Sequence, residues 1–96
     1  MSNYKVTWTK QAMYALQSIY NYYKEYSLQG AENIKNELLE SPRTIRFAEQ
    51  YQIDKYNPAY RRINIRHYKV LYKEIEGEIF IIDILSSKQS PTTQVR

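Results

Sequence analysis

Tyr60-Arg61-Arg62-Ile63-Asn64-Ile65-Arg66-His67-Tyr68-Lys69-Val70-Leu71-Tyr72-Lys73, followed by Glu74-Ile75-Glu76-Gly77-Glu78-Ile79-Phe80-Ile81-Ile82-Asp83-Ile84-Leu85, holds the architecture of this chain. Ile63 and Ile65 alternate with Arg62, Asn64 and Arg66, the period-two pattern of a half-buried strand. A tight turn near Arg66-His67 leads into a second strand over 68–75. Glu76-Gly77 is a turn pair of the kind that joins hairpin strands. The run 79–85 is then apolar on both faces, which places it in the middle of a sheet. It needs a neighbour on each side, and the preceding strand supplies one.

The other neighbour is found at the start. Tyr4-Lys5-Val6-Thr7-Trp8 alternates and is rich in β-formers. Thr9 is a candidate N-cap for a helix whose apolar positions fall at Ala12, Leu16, Ile19, Tyr20 and Tyr23, a single helical face. Tyr14, Tyr22 and Tyr26 lie off that stripe. Ser27 to Gly30 breaks the pattern and predicts a short connection there. A second helix turns Ala31, Ile34, Leu38 and Leu39 inward and Lys35, Asn36, Glu37 and Glu40 outward. It stops at Ser41, because Pro42 disfavours helical geometry in the residue before it. Residues 43–58 show no clean period. The polar stretch 86–96 reads as a loose tail. The expected fold class is α+β, ordered β-α-α-β-β-β, with a helical hairpin packed on a mostly antiparallel four-stranded sheet.

Ninety-six residues make one domain, spanning 1–96, with a modest core. Without cysteine there is no disulfide or thiolate metal site, which fits a reducing cytoplasm. No apolar run has the roughly 20 residues of a spanning helix, and the first residues do not read as a signal peptide. No membrane association is expected. Net charge is +4 and the pI about 9.3, a lean toward acidic partners.

The charge is unevenly placed. No acidic residue occurs from Tyr60 to Lys73, while Arg61, Arg62, Arg66, Lys69 and Lys73 do. Such a surface suits phosphates or carboxylates; the alternative is a solvated face whose cations guard an edge strand. Lys88 could join the cluster. Tyr60, Tyr68 and Tyr72 interleave with the cations, as in base-stacking platforms, but Tyr68 and Tyr72 share a strand face, and a core role is the expectation for both. His67 could act as an acid or base or be an exposed turn residue. Asp83 is either a paired buried carboxylate or faces an open side. One histidine and scattered acids offer no metal site and no nucleophilic triad, Gly30 and Gly77 build no phosphate loop, and no cofactor is expected.

The whole pattern resembles the RelE/ParE superfamily of type II toxins. The resemblance is carried by Tyr4 to Thr9 running into a helix with Ala12 and Leu16, by Leu38-Leu39-Glu40-Ser41-Pro42, and above all by Tyr60-Arg61-Arg62-Ile63, Tyr68-Lys69-Val70-Leu71-Tyr72 and the run 79–85. It implies a growth inhibitor neutralised by a cognate antitoxin in a toxin–antitoxin hetero-oligomer. RelE-like members cut mRNA on the ribosome; ParE-like members inhibit DNA gyrase without hydrolysis. By resemblance, Lys69 and Lys88 fall at or near phosphate-binding arginines of the nucleases, and Arg61 falls at a basic position on the preceding strand. Lysine keeps the charge but loses the bidentate fork. Ser90-Pro91-Thr92-Thr93 stands where the nucleases carry a tyrosine, and His67 matches no catalytic histidine position of the family. Tyr60-Arg61-Arg62-Ile63 looks ParE-like. The resemblance therefore implies a ParE-like inhibitor of gyrase, with a ribosome-dependent mRNA endoribonuclease using Arg61, Lys69 and Lys88 as the alternative. A non-toxic basic interaction domain is the remaining reading. An acidic or amphipathic antitoxin segment would wrap the basic sheet and helical hairpin, with Tyr22 and Tyr26 as candidate partner contacts.

Overall fold

A computed structural model describes residues 4–87. Of the predicted tail 86–96, Ser86 instead closes the last strand, and residues 88–96, Lys88 included, lie outside the described residues. Strand β1 (Lys5–Trp8) leads into helices α1 (Lys10–Lys24) and α2 (Leu28–Glu40), and strands β2 (Arg61–Ile65), β3 (Tyr68–Ile75) and β4 (Glu78–Ser86) follow. The order in space is β1-β4-β3-β2. β4 is central as its two-sided apolar run requires, flanked by β3 antiparallel and β1 parallel. The fold is therefore α+β, with two helices on a mostly antiparallel sheet.

The packing follows the apolar stripes. Ala12, Leu16 and Ile19 of α1 and Ile34 and Leu38 of α2 meet Ile63, Val70, Tyr72, Ile79, Ile81 and Ile84 of the sheet in one core, with Trp8, Tyr23 and Tyr68 packed against it. Ile81 and Ile84 differ in parity, so a regular strand would turn them to opposite faces. A register shift solves this: Leu71 pairs with Asp83 but Tyr72 with Ile81, leaving Ile82 unmatched. Such a bulge inserts one residue and re-aims the side chains after it. Phe80 and Leu85 are half-buried; Lys73, the ladder partner of Phe80, and Lys69, the partner of Leu85, lie on the sheet face away from the helices.

Thr9 ties the first helix to the central strand. Its Oγ1 accepts from the Ala12 N–H at 3.2 Å and donates to the Ile81 carbonyl at 2.8 Å, while its own N–H reaches the same carbonyl at 3.1 Å. Thr9→Ala removes the cap and the strand anchor together, and is expected to cost about 1–2 kcal/mol; a shift of the urea midpoint measures this.

The link between the helices differs from expectation. Gly30 is not in the connection but in the first turn of α2, where its N–H donates to Ser27 Oγ at 3.0 Å. Ser27 caps the helix, and a glycine costs little at a capped end. After α2 the chain tightens into a 3-10 turn, Ser41–Thr44, with Pro42 buried near its start. A missing N–H is harmless there. Among the described residues no helix is long and apolar enough to cross a membrane.

Both sheet turns need positive φ. Glu76 (φ 50°) and Gly77 (φ 84°) are left-handed in succession, as a type I′ hairpin turn demands. Arg66 (φ 53°) carries a side chain in the same region. Its guanidinium grips Glu37 on α2 through two bonds, Nε to Oε1 at 2.8 Å and Nη2 to Oε2 at 2.6 Å. That grip holds the turn against the helix and keeps the Glu37 carboxyl below its ordinary pKa.

Candidate functional site

The irregular segment before β2 organises the cationic hairpin. Residues 52–54 run antiparallel along the outer edge of β2: Ile53 bridges Arg61, the Arg62 N–H donates to the Gln52 carbonyl at 3.0 Å, and the Asp54 N–H donates to the Tyr60 carbonyl at 2.8 Å. The segment forms because Asp54 starts a side-chain-stabilised turn, a frequent role for aspartate. Its Oδ2 accepts from the Tyr56 N–H at 3.1 Å, the Asn57 N–H at 2.8 Å and the Asn57 amide at 2.8 Å.

The other oxygen meets Lys69. Nζ lies 2.8 Å from Asp54 Oδ1 as an ion pair, and 5.1 Å from the centre of the Tyr56 ring. Asp54 is 1% exposed and Lys69 8%. Burial alone would raise the Asp54 carboxyl; the Lys69 ammonium, the Asn57 amide and the Tyr56 N–H outweigh it and hold the group below the usual carboxylate range.

The sequence-derived cations therefore have different fates. Lys69 is locked to Asp54 and Arg66 to Glu37, so tertiary structure supplies two of them with the acids their own stretch lacks. Arg61 Nη1 donates to the Tyr51 carbonyl at 2.9 Å. Arg62 donates to the Ile53 carbonyl at 2.7 Å and to Gln52 Oε1 at 3.1 Å. These acceptors are neutral, so both arginines keep their net charge. Lys73 is exposed, with no ion pair among the described residues. Arg61 and Lys73 share a shallow depression of about 180 Å³ with Glu49, Glu74 and Tyr72, where two carboxylates temper the cations.

The register adds a second grouping. Arg62 faces Leu71 and Asn64 faces Lys69 across the β2–β3 ladder. Arg62, Lys69 and Lys73 thus surround Leu71 on the sheet face away from the helices. His67 is exposed in the turn at one end of the hairpin, and its carbonyl accepts from Ser87 N–H at 2.7 Å; Lys73 lies toward the opposite end. Asp83 accepts from the Ile84 N–H at 2.8 Å.

The tyrosines divide between core and surface. Tyr72 is 1% exposed and its hydroxyl donates to the Ala48 carbonyl at 2.8 Å. Tyr68 is half-buried against Tyr23, and burial together with that hydroxyl contact pushes its pKa well up. Tyr60 is half-buried. Tyr22 and Tyr26 are 58% and 74% exposed and pack edge-on at 5.4 Å at the end of α1.

Sequence alone does not single out Asp54, Tyr56, Asn57 and Glu37. Asp54-Lys55-Tyr56-Asn57-Pro58 does carry a local signal, since Asp, Asn and Pro together mark a turn. The turn is therefore readable, but not its partner, because Lys69 is brought to it only by the β2–β3 ladder.

The fold and sequence have known relatives. The sequence model described as "ParE toxin of type II toxin-antitoxin system, parDE" matches residues 6–91. A solved chain of the chromosomal ParDE toxin–antitoxin system from P. aeruginosa superposes with a TM-score of 0.75 at 17% identity, covering 86% of this chain and 95% of that one. The free E. coli toxin RelE, in a form with two arginines changed to alanine, superposes with a TM-score of 0.50 at 16% identity, covering 97% and 93%. No curated protein sequence matches. At these identities the structures speak for the fold, while the sequence match spans most of the length, so this chain belongs to the ParE toxin family of type II toxin–antitoxin systems.

Proposed function

We propose that this toxin arrests growth in the bacterial cytoplasm by inhibiting DNA gyrase, cuts no RNA, and is kept inactive by a cognate antitoxin. The observation that carries the reading is the state of Lys69. A cation that serves a scissile phosphate must be free to meet it, and this one is buried against a carboxylate. Among the described residues, no histidine or free carboxylate stands beside it to move a proton. Arg61, Arg62 and Lys73 remain charged at the surface and are the cations best placed to meet a macromolecular target, with Arg66 and Lys88 as the other candidates. The antitoxin would cover the sheet face that carries Arg62 and Lys73 and the helical hairpin, with Tyr22 and Tyr26 supplying rigid aromatic contacts.

Purified protein in excess should block gyrase supercoiling of relaxed plasmid, and transcripts should stay intact in arrested cells. Unimpaired supercoiling together with transcripts cut within minutes of induction would replace this reading with ribosome-dependent cleavage. Arg61→Ala with Lys73→Ala is expected to weaken supercoiling inhibition by about a hundredfold, by removing two charge-assisted contacts of roughly 1.5 kcal/mol each.

A further inference from the structure

The two edges of the sheet are treated differently. β1 pairs only with β4 among the described residues. The edge of β2 is covered by the chain's own residues 52–54. That cover supplies what an incoming extended peptide would supply. It adds backbone bonds along the strand, from Arg62 N–H to the Gln52 carbonyl and from Asp54 N–H to the Tyr60 carbonyl. It offers carbonyls to both guanidiniums, Tyr51 to Arg61 and Ile53 to Arg62. And it places one carboxylate on a buried lysine.

We propose that residues 51–57 are an internal stand-in for an acidic, extended protein segment, and that the β2 edge with Lys69 is a peptide-binding site that the segment keeps closed. Opening it exposes Lys69 and frees Arg62. Both lie on the same sheet face as Lys73, around the apolar Leu71. The incoming segment pairs its backbone with β2 and sets an Asp or Glu on Lys69. A carboxylate, rather than a phosphate, is the group to expect. The site already holds one, its cation is a point-charge lysine instead of a forked arginine, and the neighbouring contacts are those of a peptide backbone. Tyr51 stays anchored, its hydroxyl at Thr44 and its ring against Tyr72, but beyond it the cover is local: among the described residues, 52–54 bond only to 56–57, 60–62 and 69, so they can lift without unfolding the helix-covered core. This inference does not depend on gyrase being the target, but it rests on the reading that Lys69, once opened, meets a carboxylate and not a scissile phosphate, which the oligonucleotide arm of the test decides.

The test titrates a synthetic peptide copying residues 50–58 into full-length protein. In the parent chain the site is occupied, so apparent affinity is reduced by the small open fraction. Asp54→Asn keeps a side-chain oxygen for the Tyr56 and Asn57 N–H groups but removes the charge on Lys69. It is expected to bind the peptide roughly tenfold more tightly than the parent chain. Adding Lys69→Met to that variant, or changing the peptide's own aspartate to asparagine, should abolish the gain. Equal binding by parent and Asp54→Asn overturns the proposal, as does uptake of a short oligonucleotide in place of the peptide. A second measurement needs no variant. In native-state hydrogen exchange, the Arg62 amide should exchange by a local opening, well ahead of the β3–β4 ladder. If it exchanges only with global unfolding, the segment does not open and the proposal fails.

Discussion

Asp54→Ala is expected to destabilise the domain by about 3–5 kcal/mol, because it strands the Lys69 ammonium in a buried site and leaves the Tyr56 and Asn57 N–H groups without their acceptor. Domains of this size have about 5–15 kcal/mol in total, so the change is close to what the fold can bear. It corresponds to a fall in Tm of roughly 12 °C or more. The double variant Asp54→Leu with Lys69→Met is expected to recover much of the loss, since well-packed apolar residues replace a buried ion pair at little cost. Urea unfolding followed by Trp8 fluorescence measures both. A single variant within about 1 kcal/mol of the parent would mean that the pair contributes no more than a surface one.

The same pair sets a pH dependence. The Asp54 carboxyl titrates lower in the folded chain than in the unfolded one, where its pKa is about 3.9. Its contribution is therefore fully present above that value, and is lost as pH falls through the lower folded value. The parent's urea midpoint should drop below about pH 4, and Asp54→Asn should follow a shallower curve there.

Tyr72→Ala is expected to cost about 3–5 kcal/mol, the range for emptying a large aromatic site in a core. The ring is fully buried, meets Tyr51 edge-on at 6.3 Å, and its hydroxyl satisfies the Ala48 carbonyl. Tyr72→Phe keeps the ring and loses only that bond, at about 1–2 kcal/mol. The pair of variants separates the two sequence readings of this residue. A core tyrosine changes stability steeply with ring removal and modestly with hydroxyl removal. A base-stacking tyrosine would leave stability nearly unchanged and weaken nucleic-acid binding. Urea midpoints for both variants, beside the parent, decide it.

Much of the fold is legible because its signals are local. The alternation at 60–66, the helical stripe from Ala12 to Tyr23, the Thr9 cap and the Glu76-Gly77 turn each depend on neighbours within a few residues. The central place of β4 is also readable, since Ile79 to Leu85 has no polar face to give to solvent. Even there the bulge at Ile82, which lets Ile81 and Ile84 share a face, could not be read from the run, since apolar residues stand at both parities around Asp83. Glycine's preference for turns points Gly30 to the connection, but the Ser27 cap places it inside α2.

The site is less legible, and the reason is reach. Sequence by itself determined that a cationic hairpin closes the domain, that Tyr68 and Tyr72 share one face of their strand, and that the chain resembles toxins of the RelE/ParE kind. It could not determine which of those cations are free. Charge along a chain says nothing of the charge beside it in space, and Coulomb attraction acts over a few ångströms whatever the separation in sequence. Only the tertiary structure brought Asp54 to Lys69 and Glu37 to Arg66, and so turned a run of five like charges into two closed ion pairs, two arginines bound to carbonyls, and the exposed Lys73.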